Sequence, residues 1–461
     1  MDSSPRTDTA PDNLEKACCQ SQPLLQNAAY HQCPPRYSQY VSNRQSTLKR
    51  FFLALGAAAL VWLTLSSASR MARFCLRGIS KLSPDDEVGY PEPVDGKIHD
   101  CVNGGTWSTY YDHPSWSTSY PYGAESAFSL PVDADALYTL SRGMYQLGQV
   151  DIVQSSEATD TVEVRIRVSY FTDEALDRAS VCRMERIDNQ HGVGIFTPKH
   201  QRRHETRDQL RFDVKITLPA GSDGSPLRIK HFDTNMPNYV QKVANLWDAV
   251  VFDEIDIKSS NGLVKAQSVT FELGSFSSVN GAIEGHFNAG SSLNIQTANG
   301  VIQASVTLLN REGAQTSKLG LLTANGNVHA EVALASEAGV GGAFDVEAQT
   351  SNGAIALAFT DSPVDSLLNC RVSATTGNVH VALHSAYEGS YSMRSTIGNQ
   401  DVEVRDVEDP AGRGRRRVVS RHRTRNNRGG SVYWVDSDGS SSGTEGSVEI
   451  KTTLSLAKLI V

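Results

Sequence analysis

The chain has 461 residues, room for two or three domains, and a formal net charge of −8 that argues against a general nucleic-acid binder. No catalytic constellation stands out anywhere along it, so composition and motifs speak to fold before function.

Residues 1–48 are rich in Ser, Gln, Pro and Asn without apolar periodicity and read as a disordered tail. From Phe51 to Ser69 no charge occurs, and Lys49, Arg50, Arg70 and Arg73 close the ends. As a helix this run spans roughly 28 Å, enough for a bilayer core. Residues 49–70 are therefore expected to form one transmembrane helix. A signal peptide cleaved near Ser66–Ser69 is the rival, but the leader before it is too long; a buried core helix is a third reading. Arg36, Arg44, Lys49 and Arg50 precede the segment, and Arg70, Arg73, Arg77 and Lys81 follow it, so the positive-inside rule favours neither orientation. A β-rich C-terminal domain suits the lumen or cell surface, whereas the absence of any Asn-x-Ser/Thr acceptor points the other way. Beyond the membrane segment and Cys75, the cysteines are Cys101, Cys182 and Cys370, an odd set that allows at most one disulfide and leaves one thiol over. Cys18, Cys19 and Cys75 suit palmitoylation or plain free thiols equally.

Residues 71–125 read as a linker with an aromatic cap (Trp107, Tyr110, Tyr111, Trp116, Tyr120 and Tyr122), either packed down over an open edge or presented as a sugar-stacking platform. Residues 126–250 hold strand patterns at Gln149–Val153, Val162–Val168 and Phe212–Pro219. Between them lies a charged loop insertion, Arg183–Arg207, and a short helix is expected within Asn235–Trp247. Over residues 251–408 one phrase recurs: Ser/Thr, then Asn-Gly, then an apolar residue. It includes Asn261-Gly262, Asn280-Gly281, Asn299-Gly300, Asn325-Gly326 and Asn352-Gly353, with degraded copies at Gly377 and Gly398. The glycines are 19, 19, 26, 27, 24 and 21 residues apart.

Asn-Gly is a strong turn signal because both residues accept a positive φ. The residues after each turn alternate, as in Ile283, Gly285 and Phe287 against Glu284 and His286. The fold class expected is all-β: a parallel, β-helix-like solenoid with coils of about 19–27 residues, preceded by one transmembrane helix and a disordered tail. Stacked coils would bring the five asparagines into register as an amide ladder. A series of antiparallel hairpins is the alternative, though hairpins rarely recur with such uniform turn wording. Residues 126–250 and the final strand Thr452–Val461, within the C-terminal strand segment 447–461, are expected to cover the ends of the stack.

The strand ending Ile216-Thr217-Leu218-Pro219, followed by serial Ser/Thr-x-Asn-Gly-x-Ile/Val repeats, resembles the "putative adhesin" family of β-solenoid domains of unknown function. The resemblance spans about residues 145–405. It implies a fold rather than an activity, and a membrane-anchored member with a long polar tail is of fungal rather than bacterial type.

Candidate chemistry is sparse. Arg228-Ile229-Lys230 echoes one polygalacturonase motif whose partner motifs are absent, so chance accounts for it better. His286, His329, His380 and His384 either align as metal ligands or are ordinary surface histidines; Gly341–Asp345 is an imperfect look-alike of a calcium-binding repeat. Residues 409–446 are expected to be a disordered insert. Its stretch Arg413–Arg428 carries eight arginines and has three readings: solvated loop, polyanion-binding arm, or processing site after Arg415-Arg416-Arg417. The sequence thus suggests a non-catalytic, membrane-anchored binding, adhesion or scaffold module. Its solenoid would be luminal or extracellular, with a cell-wall polysaccharide or another surface protein as partner and no cofactor or metal. A carbohydrate-active enzyme on the same scaffold and a cytosol-facing tethered scaffold are the alternatives.

Overall fold

The computed structural model describes residues 91–110, 119–187, 189–199, 206–424, 427–440 and 445–461, all within the compact unit Lys81–Val461. The expected disordered tail and the transmembrane segment 49–70 lie outside the described residues. Among the described residues no helix is long and apolar enough to cross a membrane.

The described chain is all-β, with 27 strands. Alternating apolar side chains bury one face of most strands in a main core that continues from Trp107 to Val461, while Tyr138, Leu140, Cys182, Met184 and Phe196 form a second, smaller cluster. Two ladders enclose that core. The first begins with β2 (Ser108–Tyr110), β3 (Tyr122–Pro131), β6 (Thr161–Tyr170), β9 (Leu210–Leu218), β5 (Gln146–Gln154) and β11 (Tyr239–Asn245). It continues through β13 (Val264–Ser277), β14 (Ile283–Gln296), β15 (Ile302–Asn310), β17 (Val328–Ser336), β19 (Ile355–Asp361) and β21 (Val379–Ala382). It ends with β27 (Ala457–Ile460) and β23 (Gln400–Glu403).

The second ladder starts at β1 (Lys97–Asn103), β7 (Ser180–Glu185), β8 (Gln190–Phe196), β4 (Ala136–Arg142), β10 (Leu227–Asn235) and β12 (Val250–Lys258). It shares β13 and β14, which bend from one ladder into the other. It then runs through β16 (Ser317–Leu322), β18 (Ala343–Thr350), β20 (Leu367–Ala374), β26 (Gly446–Thr452), β22 (Gly389–Ser395), β25 (Asn427–Val435) and β24 (Arg416–Arg423).

The sheet is mixed, which corrects the expectation of a purely parallel stack. Pairing is parallel from β9 to β23 and from β8 to β22. It is antiparallel at β2–β3–β6–β9 and β1–β7–β8 on one end and at β22–β25–β24 on the other.

Four more expectations are corrected. The segment within Asn235–Trp247 is strand β11, because Tyr239, Gln241 and Val243 alternate into the core rather than recurring at helical spacing. The charged stretch Arg183–Arg207 is not simply a loop, since its start completes β7 and Gln190–Phe196 forms β8. The C-terminal segment does not cover the stack: β26 and β27 are inserted between the last two layers, with β20 and β22 flanking β26 and β21 and β23 flanking β27. The insert expected to be disordered forms the β24–β25 hairpin, which adds antiparallel to β22 at that end. Cysteine arithmetic is resolved by a Cys101–Cys182 disulfide across β1 and β7, leaving Cys370 free and buried.

Candidate binding face and polar clusters

The five turn asparagines come into one column. Asn280 Nδ2 donates to Asn261 Oδ1 at 2.7 Å, Asn299 to Asn280 at 2.7 Å, Asn325 to Asn299 at 2.6 Å and Asn352 to Asn325 at 2.6 Å. Below them Asn261 donates to Asn238 at 2.8 Å, a member that sequence reading missed because Tyr239, not glycine, follows it. At the other end Thr376 Oγ1 lies 3.4 Å from Asn352 Oδ1 and terminates the column.

A second column runs beside it. Ser259, Ser278, Thr297, Thr323 and Thr350 each accept the N–H of the glycine three residues on, at 3.0–3.1 Å. Four of these hydroxyls also donate to the glycine carbonyl one layer below: Ser278 to Gly262, Thr297 to Gly281, Thr323 to Gly300 and Thr350 to Gly326. None of the glycines Gly262, Gly281, Gly300, Gly326 and Gly353 adopts a positive φ. Their requirement is space: a Cβ at Gly281, Gly300, Gly326 or Gly353 would overlap the carbonyl of the glycine beneath, and at Gly262 that of Tyr239. The expected reason for glycine is thereby corrected from turn geometry to close stacking.

The outward-facing residues of the first ladder form a shallow polar groove. One part, about 490 Å³, is lined by Lys265, Gln267, Glu284, His286, Gln303, Ser305, His329 and Glu331. A second part of about 430 Å³ shares Lys265 and Gln267 and adds Asp151, Lys215 and Lys242. Parallel register aligns Lys242, Lys265, Glu284, Gln303 and His329 in one row across five strands. Lysines therefore gather at one end and glutamates at the other. Within the row Lys265 Nζ stands 3.6 Å from Glu284 Oε2. His380 extends the row past Ala356, so it stands two strand spacings, about 9.6 Å, from His329. His286 sits two residues along, opposite Ser305. His384 is half-buried beyond β21, and burial pushes its imidazole pKa down. The four histidines are not brought together.

Among the described residues one convergence of metal-type ligands occurs: His231, Glu254 and Asp256 on β10 and β12. His231 Nδ1 is 4.0 Å from Glu254 and Nε2 is 3.9 Å from Asp256, with Nε2 shielded and unbonded. Lys258 lies 3.4 Å from Asp256 and 3.5 Å from Asp233, which Arg186 also reaches at 3.2 Å. One imidazole and two carboxylates have the right chemistry for a divalent cation, but Lys258 already pairs with Asp256. The only sequence signal was that His231 and Glu254 stand one coil apart.

Other singled-out residues are structural. Arg228 pairs with Asp253 at 2.6 Å and Lys230 with Asp135 at 2.5 Å, and Asp345 of the calcium-like stretch is held by Arg371 at 2.9 Å. Trp107 is buried, Tyr120 packs on Phe171 and Tyr122 on Tyr170, which favours the cap over the sugar platform; Tyr111 and Trp116 lie outside the described residues.

The Arg415 side chain is 2% exposed and bonds Asp409 at 2.9 Å and Glu388 at 3.2 Å; the other oxygen of Glu388 accepts the Trp434 backbone N–H at 3.1 Å. Burial opposes ionisation of Asp409, yet Arg415 and three backbone N–H groups outweigh it and hold the carboxyl well below the usual carboxylate range. A protease reading Arg415-Arg416-Arg417 would meet a buried first arginine.

No family model matches the chain, and no curated protein matches it. Among solved structures, the chain is similar to a "putative cell adhesion protein" from Clostridium sporogenes at 11% identity and a TM-score of 0.18, covering 73% of this chain and 99% of that one. A "putative adhesin" from Bacteroides fragilis is 10% identical with a TM-score of 0.30, covering 73% and 96%. Another from Parabacteroides distasonis is 16% identical with a TM-score of 0.22, covering 56% and 96%.

Proposed function

We propose that this chain is a non-catalytic binding module in which a β-solenoid presents the polar groove of its first ladder to a linear polysaccharide. The observation that carries this reading is the continuity of the groove. It crosses β9, β5, β11, β13, β14, β15 and β17, six strand spacings or about 29 Å, with hydrogen-bonding side chains in register. A long, rigid, shallow face suits a repeating polymer better than a small molecule. Glu284 and Glu331 fall on different rows and different layers, an arrangement of a contact surface rather than of paired acid–base carboxylates.

The module is tethered through Phe51–Ser69, with the solenoid on the luminal or extracellular side. The Cys101–Cys182 disulfide supports that side, because such bonds persist in oxidising compartments. Protease protection on sealed microsomes, with a tag at each end, tests placement: a protected C-terminal tag is expected, and a digested one would overturn it. Retention on immobilised polysaccharides tests function. Lys242→Glu/Lys265→Glu should reverse the charge at one end of the groove and reduce retention of acidic polymers at least tenfold. Unchanged retention would exclude the groove as the binding surface.

A further inference from the structure

Strand β24 is the outermost strand of the second ladder and pairs with β25 alone. An open edge offers a row of backbone N–H and C=O groups to any strand able to add to it. In the first half Arg417, Val418 and Val419 are half-buried: Arg417 Nη1 donates to the Arg405 carbonyl at 3.4 Å, and Val419 packs against the core. The second half, Ser420–Arg423, is exposed. There the register sets Arg421 opposite Gly430 and Arg423 opposite Arg428, all on one face.

Like charges directly opposed destabilise a ladder unless something anionic lies between them. Among the described residues no ion pair joins Arg421 or Arg423 to an acid, and Arg428 reaches Asp401 at 3.8 Å. Such a patch in a chain of net charge −8 is the strongest local departure from its overall sign.

We infer that the exposed half of β24 takes an extended acidic peptide by strand addition, its alternate carboxylates falling on the Arg421, Arg423 and Arg428 face. Arg421 and Arg423 stand two residues apart, about 6.8 Å along the strand, which is the repeat of same-face side chains on an added strand. Arginine suits the task because its planar fork binds carboxylate bidentately. A second copy of this edge is disfavoured, since arginines would meet arginines. A sulfated polysaccharide or single-stranded nucleic acid supplies charge without the backbone groups.

The test is fluorescence anisotropy of the full chain with a dye-labelled ten-residue peptide of alternating Glu and Val. Saturable binding is expected, weakened at least tenfold by Arg421→Glu/Arg423→Glu. N-methylation of alternate peptide nitrogens, which keeps every charge but blocks the ladder, should weaken it as much. The Trp434 indole resonance reports whether the variant hairpin is folded; if it is lost, the N-methylated peptide decides alone. No binding, equal binding of the N-methylated peptide, or displacement by single-stranded DNA at concentrations equal to unlabelled peptide would each overturn the inference.

Discussion

At the scale of single residues, the turn column shows why the repeated phrase has its wording. Each hydroxyl three residues before a glycine bonds two buried backbone groups, one in its own layer and one below. Thr323→Val keeps the shape but strands both, and should cost about 2 kcal/mol in urea unfolding. Gly300→Ala would drive a Cβ into the Gly281 carbonyl and should cost about 2–3 kcal/mol, whereas Asn299→Ala removes two exposed amide bonds and should cost about 1 kcal/mol. An order with Asn299→Ala the most damaging would refute the stacking role of glycine. The asparagine column was legible in the sequence because Asn-Gly recurs at coil spacing. The role of glycine was not, because Asn-Gly has the same wording whether it serves a positive-φ hairpin turn or a crowded stack.

At the scale of elements, the β24–β25 hairpin hangs on Arg415. Replacing it with Gln leaves Glu388 and Asp409 buried without a full counter-charge, at a cost of about 3–5 kcal/mol. The expected readout is loss of the Trp434 indole resonance, whose Nε1 donates to the Ser385 carbonyl at 3.1 Å. The pH dependence follows from Asp409. Its folded value is depressed, so its contribution is complete above the ordinary carboxylate pKa of about 3.9 and is lost as pH falls through the folded value. The Trp434 resonance should therefore persist from pH 7 through pH 4 and fade only below, while Asp409→Asn should weaken the hairpin already at pH 7. Arginine density hides this hairpin in the sequence. The signal is there in Val418-Val419 and in Val432 and Trp434 on either side of Asn426-Asn427, but the surrounding charges mask the alternation. The interleaving of β26 and β27 carries no local signal at all: nothing in Gly446–Ile460 tells which layers it will separate.

At the scale of the whole molecule, the described residues hold one disulfide and one buried thiol. Cys101 and Cys182 are 81 residues apart, and reducing their bond should lower stability by about 2–4 kcal/mol, seen as a fall in Tm. Burial pushes the Cys370 thiol up to about 12, so it should resist iodoacetamide at pH 8 until the chain is unfolded. Labelling at the native rate of an exposed thiol would show that the β18–β20–β26 layers open readily. The all-β class and the layer period were legible in the sequence, whereas the groove was not. Lys242, Lys265, Glu284, Gln303 and His329 become neighbours only through parallel register, and their spacing along the chain is irregular.

The groove is the centre of the proposed function, and its length is its most distinctive property. The direct measurement is calorimetric titration of the full chain with acidic and neutral oligosaccharides of graded length, with the size of each ligand checked afterwards. Affinity should climb with length until the groove's span of about 29 Å is filled, then level off, with every ligand recovered intact. Affinity independent of length, or ligand recovered in shortened pieces, would contradict a non-catalytic polymer-binding groove.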